Sequence, residues 1–379
     1  MDLSFATTFN TIIPLKEKRM AFCGQCGNRL PQEGLRYCPF CGAPLEKPTR
    51  YSSVKYEIGN ESEQSGLADY YPEVREEIAA LINELDKMRP ALTRHQFDSS
   101  KDHWSELESL VGMKAVKEQL LKYIIDYHVQ SIRKHSHPDL KIVTPFNCIF
   151  KGNPGNGKTT VARIVAGILK EEGIIDKGCC VEMDASSITS GWVGFSAKFA
   201  KLAALESLGG VLFFDEAYSL LNAQGSKGSP GKEVIDTLTP LMENYRDRLI
   251  VIFAGYDKEM NELLEQTNPG FASRFKNEIH FEDYSASEMM EIFIGIAEKN
   301  YYKLTNEAVG RLRALFEIID SKKCNNRRFA NARTVRSLFE VIRSKSSQRM
   351  ANESNVDFDV ITLEDVAIPL EELKSIGAI

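Results

Sequence analysis

The chain has 379 residues, 43% of them apolar and 26% charged, and a formal net charge of −6. That length allows two or three domains, each with its own apolar core. A small negative charge spread over so long a chain argues against a generic nucleic-acid coat protein. No window approaches the roughly 18–20 unbroken apolar residues of a membrane helix. Because the N-terminus also lacks the basic start and apolar stretch of a secretory signal, we expect a cytoplasmic protein with no membrane partner.

Two Cys-x-x-Cys-Gly motifs lie near the N-terminus, in residues 20–45. Four thiolates at this spacing can surround one Zn²⁺ tetrahedrally, and so short a segment needs a metal to fold. A redox dithiol pair would need a thioredoxin-like fold, for which there is no room. We therefore predict a zinc ribbon, similar to those common at bacterial N-termini, that recruits protein substrates. Its ligands are Cys23, Cys26, Cys38 and Cys41. The other cysteines, Cys148, Cys179, Cys180 and Cys324, stand in apolar segments and are predicted to be small buried hydrophobic residues.

The segments on either side of the ribbon lack its density of Cys and Gly. Residues 1–19 carry no usable pattern, so Met20 is a candidate translation start, and residues 46–71 are polar and predict a flexible linker. Residues 72–105 predict an amphipathic helix and a connector. The helix starts at Pro72 and ends before Pro90. It either docks on the domain that follows or pairs with another copy. Its apolar positions are Val74, Ile78, Leu81, Ile82, Leu85 and Met88.

Apolar runs alternate with helical periodicity across residues 106–284. This alternation predicts an α/β domain whose parallel sheet is covered by helices on both faces. From Ser285 the strands stop, and helical periodicity predicts a lid domain over residues 285–379. The predicted strands are Phe146–Lys151, Cys179–Met183, Gly210–Asp215, Leu249–Ala254 and Glu278–Phe281.

A phosphate-binding motif, G-x-x-x-x-G-K-[ST], covers Gly152–Thr159 and lies between a predicted strand and a predicted helix. Its glycines let backbone N–H groups converge on phosphate oxygens at the start of the helix. Lys158 is expected to reach the β- and γ-phosphates, and Thr159 to offer its hydroxyl to Mg²⁺. The predicted ATP-binding residues are Asn153, Pro154, Gly155, Asn156, Gly157, Lys158, Thr159 and Thr160.

A second motif is the apolar strand that ends in Asp215 and Glu216. Following a phosphate loop, this pair predicts Asp215 beside the Mg²⁺ and Glu216 as the general base for the attacking water. Two arginines add positive charge: Arg274 precedes the last predicted strand and Arg333 opens a lid helix. Each is either a contact to the γ-phosphate, in the case of Arg274 from a neighbouring subunit, or a surface ion pair.

These motifs together resemble the AAA+ ATPase subgroup that contains stage V sporulation protein K and the red-type rubisco activase. The resemblance spans about residues 106–350 and is carried by the segments LVGMKAVKEQL, GNPGNGKTTVAR, GGVLFFDEAYSL, PLMENYRDRLIVIFAGY, NPGFASRF and NARTVRSLFE. It implies a five-stranded parallel sheet of order 5-1-4-3-2, a helical lid and a homo-oligomeric ring, usually a hexamer.

Several residue roles follow from the resemblance. Val111 and Gly112 would border the adenine. Tyr256 or Asp257 would occupy the sensor-1 region, where the wider superfamily usually has Asn or Thr. Arg274 would be the arginine finger, and Arg333 the sensor-2 residue, with Arg336 as its substitute.

The resemblance also places a pore loop at Trp192, Val193 and Gly194, where the family more often has tyrosine. An aromatic residue flanked by glycines offers a large contact area on a mobile backbone, which suits gripping a translocating chain. The alternative is a tryptophan buried in the core. The Gly/Ser-rich stretch Asn222–Lys232 predicts a solvated loop.

The sequence therefore predicts an ATP-hydrolysing, ring-forming protein that remodels or threads an unidentified protein client, with ATP, Mg²⁺ and Zn²⁺ as its ligands. An alternative is a nucleic-acid-dependent motor or a clamp-loader-like ATPase. Its support is the excess of Lys and Arg over Asp and Glu in residues 311–349. Arginines that face the nucleotide explain part of that excess, so nucleic acid is the less favoured partner. Nothing in the sequence identifies rubisco as the client.

Overall fold

The computed structural model describes residues 71–85, 92–136, 146–189, 195–222, 230–323, 329–353 and 357–379. Several predicted features lie outside these ranges: the candidate start Met20, the zinc ligands Cys23, Cys26, Cys38 and Cys41, nearly all of the linker predicted for residues 46–71, Met88 of the amphipathic helix, the pore-loop residues Trp192, Val193 and Gly194, and Cys324. Within the described ranges, no helix is long and apolar enough to cross a membrane.

The described residues before Ser285 form a sheet region, and the described residues from Ser285 onward form what we call the lid. The sheet region contains α1 (Pro72–Leu85), β1 (Thr93–His95), α2 (His103–Glu108), α3 (Lys114–Ser136), β2 (Cys148–Gly152), α4 (Lys158–Glu171), β3 (Cys180–Asp184), α5 (Ala185–Thr189), α6 (Phe195–Glu206), β4 (Gly210–Asp215), α7 (Ser219–Asn222), α8 (Pro230–Asn244), β5 (Leu249–Gly255), α9 (Asp257–Gln266), α10 (Pro269–Ala272) and β6 (Asn277–Phe281). The lid contains α11 (Ala286–Lys299), β7 (Lys303–Leu304), α12 (Asn306–Lys322), α13 (Ala332–Asn352), β8 (Val360–Ile361), α14 (Leu363–Val366) and α15 (Leu370–Ser375).

The main sheet has the strand order β1-β3-β4-β5-β2-β6. Its five parallel strands, β2 to β6, correspond to the five predicted strands, and their order is the expected 5-1-4-3-2. Each predicted strand agrees with the observed one within two residues at either end. The antiparallel edge strand β1 was not predicted. It pairs Thr93 with Glu182 and His95 with Cys180, and three residues are too few to show a strand periodicity.

Side chains of the central strands alternate between two apolar cores. Along β4, Leu212 and Phe214 face the core beneath α1, α6 and α8, whereas Val211 and Phe213 face the core beneath α2, α3 and α4. The sheet is therefore buried on both faces, as continuous apolar runs in parallel strands require. Cys148, Cys179 and Cys180 are free and buried, as predicted. Burial raises the pKa of the Cys148 thiol well above its usual range.

Helix α1 docks on the sheet region, which decides between the two alternatives for the amphipathic segment. Its apolar residues are buried in the same core as α6 and α8, and acidic residues on its flanks form ion pairs with Lys198, Lys201 and Arg248. Tyr71, immediately before the helix, donates a hydrogen bond to Asp176. The buried apolar residues of α1 are Val74, Ile78, Leu81 and Leu85.

The lid differs from the sequence expectation in one detail. Besides helices it contains a parallel pair of two-residue strands, β7 and β8, in which Lys303 pairs with Val360. The expectation that strands stop at Ser285 was therefore wrong, because a two-residue strand leaves no pattern to read. The solvated loop predicted for Asn222–Lys232 also extended too far, since α8 already begins at Pro230. Proline is favoured in the first turn of a helix, where its missing N–H is not needed.

Candidate active site

A cavity of about 480 Å³ opens between the carboxyl ends of the parallel strands and the start of α13 in the lid. Its volume is in the usual range of roughly 300–1,000 Å³ for small-molecule sites. Both parts of the molecule supply its walls. The lining residues are Leu110, Met113, Gly152, Pro154, Gly155, Asn156, Gly157, Lys158, Thr159, Thr160, Arg163, Asp215, Glu216, Tyr218, Gly255, Tyr256, Tyr284, Ala332, Arg333 and Arg336.

The phosphate loop joins β2 to the start of α4. Gly155 and Gly157 have φ angles of 74° and 88°, a conformation that glycine adopts without strain. A Cβ atom on Gly157 would overlap the side chain of Met113. The backbone N–H groups at the start of α4 have no partner within the helix and favour a bound anion.

Lys158 is buried at the base of this loop, with only 8% of the residue exposed. Its ammonium donates hydrogen bonds to the carbonyl oxygens of Gly152 and Asn153, both at 2.7 Å, and to Oδ1 of Asn156 at 3.0 Å. Burial lowers the pKa of Lys158 from 10.5 to about 8, although Asp215 acts in the opposite direction. A charge held in this way gains stabilisation when phosphate oxygens approach it.

Thr159 and Asp215 bring together the two oxygen donors expected for Mg²⁺. Oγ1 of Thr159 lies 3.2 Å from Oδ2 of Asp215. A hydroxyl and one carboxylate fit Mg²⁺, which takes few protein ligands and completes its shell with water and phosphate oxygens. When bound, Mg²⁺ neutralises charge on the phosphates. The described part of the chain has no group of three or more His, Cys, Asp or Glu side chains that could hold a metal ion.

Glu216 follows Asp215 and has a φ angle of 49°, in the left-handed region that non-glycine residues seldom occupy. Its backbone N–H donates to Oδ1 of Asp215 at 3.0 Å, and the residue lines the cavity. Such strain concentrates at functional sites, where the surroundings hold it in place.

The lid contributes the N-terminal turn of α13. Arg333 and Arg336 are exposed and line the cavity, and the backbone N–H of Ala332 donates to the carbonyl oxygen of Gly155 at 3.1 Å. Arg274 lies elsewhere. It does not line the cavity of its own chain, and its guanidinium forms an ion pair with Glu243 at the end of α8. A hydrogen bond from Arg274 lowers the pKa of the Glu243 carboxyl.

Three other predicted binding residues do not line the cavity. Val111 and Gly112 lie between two lining residues, Leu110 and Met113, and a Cβ on Gly112 would overlap Glu288. Asn153 instead directs its side chain to Asp283, with Nδ2 at 3.0 and 2.9 Å from the two carboxylate oxygens.

Tyr218 and Tyr284 are two aromatic lining residues that sequence reasoning missed. Tyr256 lines the cavity as expected, and its ring packs against Tyr218 with centroids 5.4 Å apart. Burial, followed by the charge of Glu216, raises the pKa of Tyr218 well above its usual range. Tyr284 also lines the cavity. Tyr218 stands two residues after Glu216, so its adjacency to the acidic pair was the available signal.

Comparison with known proteins agrees with this geometry. Residues 148–283 match the family described as "ATPase family associated with various cellular activities (AAA)", and residues 285–376 match an AAA lid domain. The chain is 34% identical over 277 residues to stage V sporulation protein K of Bacillus subtilis (strain 168), which covers 73% of this chain and 84% of that protein. The chain belongs to the AAA+ ATPases.

Other AAA+ ATPases extend the comparison. Protein CbbX of Cereibacter sphaeroides is 34% identical over 279 residues, 72% of this chain and 86% of that protein. ESX-1 secretion system protein EccA1 of Mycobacterium tuberculosis (strain ATCC 25618 / H37Rv) is 32% identical over 329 residues, 79% of this chain and 56% of that protein. Among solved structures, the FIGL-1 AAA domain in complex with ADP aligns with a TM-score of 0.52 at 19% identity, over 80% of this chain and 95% of that chain, and shows the same fold. As an AAA+ ATPase, the protein binds and hydrolyses ATP.

Proposed function

We propose that this AAA+ ATPase assembles into a ring in which each active site takes an arginine from the neighbouring subunit, and that ATP hydrolysis remodels or threads a protein client. The position of Arg274 carries the proposal. Lys158, Asp215, Glu216 and Arg333 line one cavity, whereas Arg274 lies outside it in the same chain. An arginine finger that acts in trans must be presented away from its own nucleotide.

Within one subunit, we assign the remaining chemistry to four residues. Lys158 binds the β- and γ-phosphates, and Thr159 and Asp215 hold the metal ion. Glu216 orients the attacking water and accepts its proton. Phosphoryl transfer depends mainly on positioning and charge stabilisation, so these residues need no unusual reactivity.

The Arg274–Glu243 ion pair is consistent with a finger that is available to a neighbour. Glu243 is about half exposed, and Nε of Arg274 is buried without a hydrogen-bond partner among the described residues. An unpaired buried donor makes this arrangement less stable than a fully satisfied one. Exchange of the Glu243 carboxylate for a γ-phosphate is therefore favourable once a neighbouring subunit brings the phosphate close.

Mixing two inactive variants tests whether the site is shared. Arg274→Ala keeps an intact phosphate loop but lacks the finger, whereas Glu216→Gln keeps the finger but lacks the base. Each variant alone should hydrolyse ATP at least about a hundredfold more slowly than the wild type. When mixed, an Arg274→Ala subunit beside a Glu216→Gln subunit has one complete site, so steady-state hydrolysis should recover to a fraction set by the mixing ratio.

Absence of any recovery at every ratio, with mixed assembly confirmed by native mass spectrometry, would show that Arg274 does not act in trans. Glu243→Ala is the matched control. It removes the intrachain partner of Arg274 but no cavity residue, so it should hydrolyse ATP on its own. When it is mixed with either inactive variant, the rate of hydrolysis should be proportional to the fraction of Glu243→Ala subunits.

The client-directed part of the proposal rests on Trp192, in the family's pore-loop position. Trp192→Ala should abolish remodelling of a client while ATP hydrolysis continues. Trp104, the other tryptophan of the chain, is the control because its indole N–H is bonded to Glu172 in the sheet region, at 2.9 Å. Full remodelling activity by Trp192→Ala would exclude threading through this loop. Clients can be identified by mass spectrometry of proteins retained on the Glu216→Gln ring.

The names of the relatives support a role on other proteins without fixing the process. One relative is named for sporulation and another for a secretion system. The nucleic-acid alternative loses support in the structure, because Arg343 and Arg349 of the basic lid pair with Glu340 and Asp365. Hydrolysis stimulated by DNA or RNA, with a steep salt dependence, would reverse this preference.

For the N-terminal segment we propose one structural Zn²⁺ held by Cys23, Cys26, Cys38 and Cys41. Metal analysis of the full chain should find one zinc per subunit. A Cys38→Ser/Cys41→Ser variant should lose it, and retention of the zinc by that variant would rule out this ligand set.

A further inference from the structure

Asn331 lies where the lid meets the phosphate loop, immediately before α13. The residue is completely buried, and its backbone has φ 49° and ψ −124°. Non-glycine residues rarely adopt a positive φ, and they keep it only where the surrounding contacts fix them. The contacts that hold Asn331 are therefore the first thing to explain.

The side-chain amide of Asn331 bonds to two different parts of the sheet region. Nδ2 donates to the carbonyl oxygen of Pro154 in the phosphate loop at 3.2 Å and to Oδ1 of Asp283 at 2.7 Å. Oδ1 accepts the backbone N–H of Tyr284 at 3.0 Å. Both amide protons and the oxygen are thus used, which leaves no polar atom of this buried side chain unpaired.

Asp283 extends the same network back to the phosphate loop. Its carboxylate accepts both contacts from Nδ2 of Asn153, and Asp283 and Tyr284 form the connection between β6 and the lid. Side-chain hydrogen bonds therefore join the phosphate loop both to the start of α13 and to the segment that connects β6 to the lid.

Backbone contacts bring the two parts equally close. The N–H of Ala332 donates to the carbonyl oxygen of Gly155 at 3.1 Å. A Cβ on Gly155 would overlap the carbonyl oxygen of Ala330, so only glycine allows this approach. Pro154 and Gly155 also line the cavity, as does Arg333, two residues after Asn331.

Pro154 and Gly155, which line the cavity, are therefore also the loop residues that accept hydrogen bonds from the lid. We propose that Asn331 and Asp283 form a latch that couples nucleotide occupancy of the phosphate loop to the orientation of α13. Asn331 is a positioning residue in this scheme: it acts through Pro154 and through the placement of Arg333. The latch lies within one subunit and needs neither a ring nor a client.

The chemistry of the latch requires an amide at position 331. A carboxylate there would have no proton to donate to the Pro154 carbonyl, and its charge would repel the carboxylate of Asp283. A glycine would keep the positive φ without strain but would lose every side-chain bond. Substitutions can therefore separate the backbone conformation from the hydrogen bonds.

The test measures hydrogen exchange of residues 329–340 in the full chain, with and without ADP, together with the ADP dissociation constant. In the wild type, ADP should slow exchange at the start of α13. Asn331→Gly should lose this nucleotide-dependent protection and bind ADP about tenfold more weakly, as expected for the loss of bonds to buried polar groups. The thermal midpoint of each variant, measured without nucleotide, shows whether it is folded.

Asp365→Asn is the matched control. Asp365 is a buried lid carboxylate that accepts hydrogen bonds from Arg349 and Thr362, both of which belong to the lid. This variant should have a lower thermal midpoint but keep both the ADP affinity and the protection at α13. If Asn331→Gly likewise kept both, the latch would be excluded.

A double variant, Asn331→Asp/Asp283→Asn, keeps the proposal testable if Asn331→Gly fails to fold. It restores a hydrogen bond between positions 283 and 331, but a carboxylate at 331 still cannot donate to Pro154. Its thermal midpoint should exceed that of Asn331→Asp, while the nucleotide-dependent protection should remain absent. Recovery of wild-type protection would show that the bond to the phosphate loop transmits nothing, and would overturn the proposal.

Discussion

The two walls of the nucleotide cavity are built in different ways. The sheet-region wall holds Lys158, Thr159 and Asp215, which are bonded to one another or to the loop that carries them. The lid wall presents Arg333 and Arg336, which are exposed, on a helix held to the loop through Asn331. The sheet-region wall is therefore preorganised for phosphate, whereas the contribution of the lid depends on where α13 lies.

Removal of the main charge from the preorganised wall should have the largest effect. Lys158→Ala eliminates the ammonium that the loop holds at its base. Truncation of one member of a desolvated charge pair costs roughly 2–5 kcal/mol, so ATP affinity should fall at least about thirtyfold and hydrolysis should become undetectable. Equilibrium titration with a fluorescent ATP analogue measures the change.

Lys151 provides the matched control, because it is as buried as Lys158 but lies outside the cavity. Its ammonium contacts Glu278 and, at 2.7 Å, Oδ1 of Asn261. Lys151→Ala should lower the thermal midpoint and leave ATP affinity within about twofold, because its ammonium contacts Asn261 and Glu278, neither of which lines the cavity. If Lys158→Ala and Lys151→Ala lost equal ATP affinity, the effect of Lys158→Ala would reflect a loss of protein stability and not the loss of a phosphate contact.

Removal of charge from the lid wall should have a smaller effect that falls on turnover. Arg333→Ala removes a charge-assisted contact worth roughly 1.5–3 kcal/mol, which corresponds to about ten- to hundredfold. Because Lys158, Thr159 and Asp215 would still hold the nucleotide in this variant, the maximal rate should fall more than the affinity. Steady-state kinetics separate the two quantities.

Arg343→Ala is the control on the same helix. Arg343 pairs with Glu340 and does not line the cavity, so its loss should change neither quantity. An Arg333→Ala variant that binds ATP as weakly as Lys158→Ala, with an unchanged maximal rate, would contradict the division between the two walls.

The sheet-region wall was predictable because its residues fall in two motifs, each of which is contiguous in the sequence. Gly152–Thr159 and the strand ending in Asp215 each combine a motif with an apolar run, and the parallel order of the sheet follows from the same runs. The lid wall was only partly predictable. Arg333 was identified through resemblance, but the role of Asn331 depends on a backbone conformation and on contacts with Pro154 and Asp283 that are remote in sequence. The edge strand β1 was missed because three residues carry no period.

The smallest expected effect is the pH dependence of ATP binding. It distinguishes the two walls because the charge of Lys158 changes with pH, whereas the charge of the lid arginines does not. Burial lowers the pKa of Lys158 to about 8, so the unliganded protein loses this charge as pH rises through that value. Phosphate oxygens favour the charged form, so ATP binding must return the proton. At pH 9 only about one Lys158 in ten is protonated, and affinity should be about tenfold weaker than at pH 7.

Titration calorimetry in buffers of different ionisation enthalpy measures the proton directly, and uptake should approach one per nucleotide near pH 9. Arg333→Ala should keep the same proton uptake, because a guanidinium does not titrate in this range. Constant affinity from pH 7 to 9.5, without proton uptake, would mean that Lys158 stays charged despite its burial. The carbonyl oxygens of Gly152 and Asn153 would then stabilise the ammonium by themselves, and the preorganisation of the sheet-region wall would include its charge as well as its geometry.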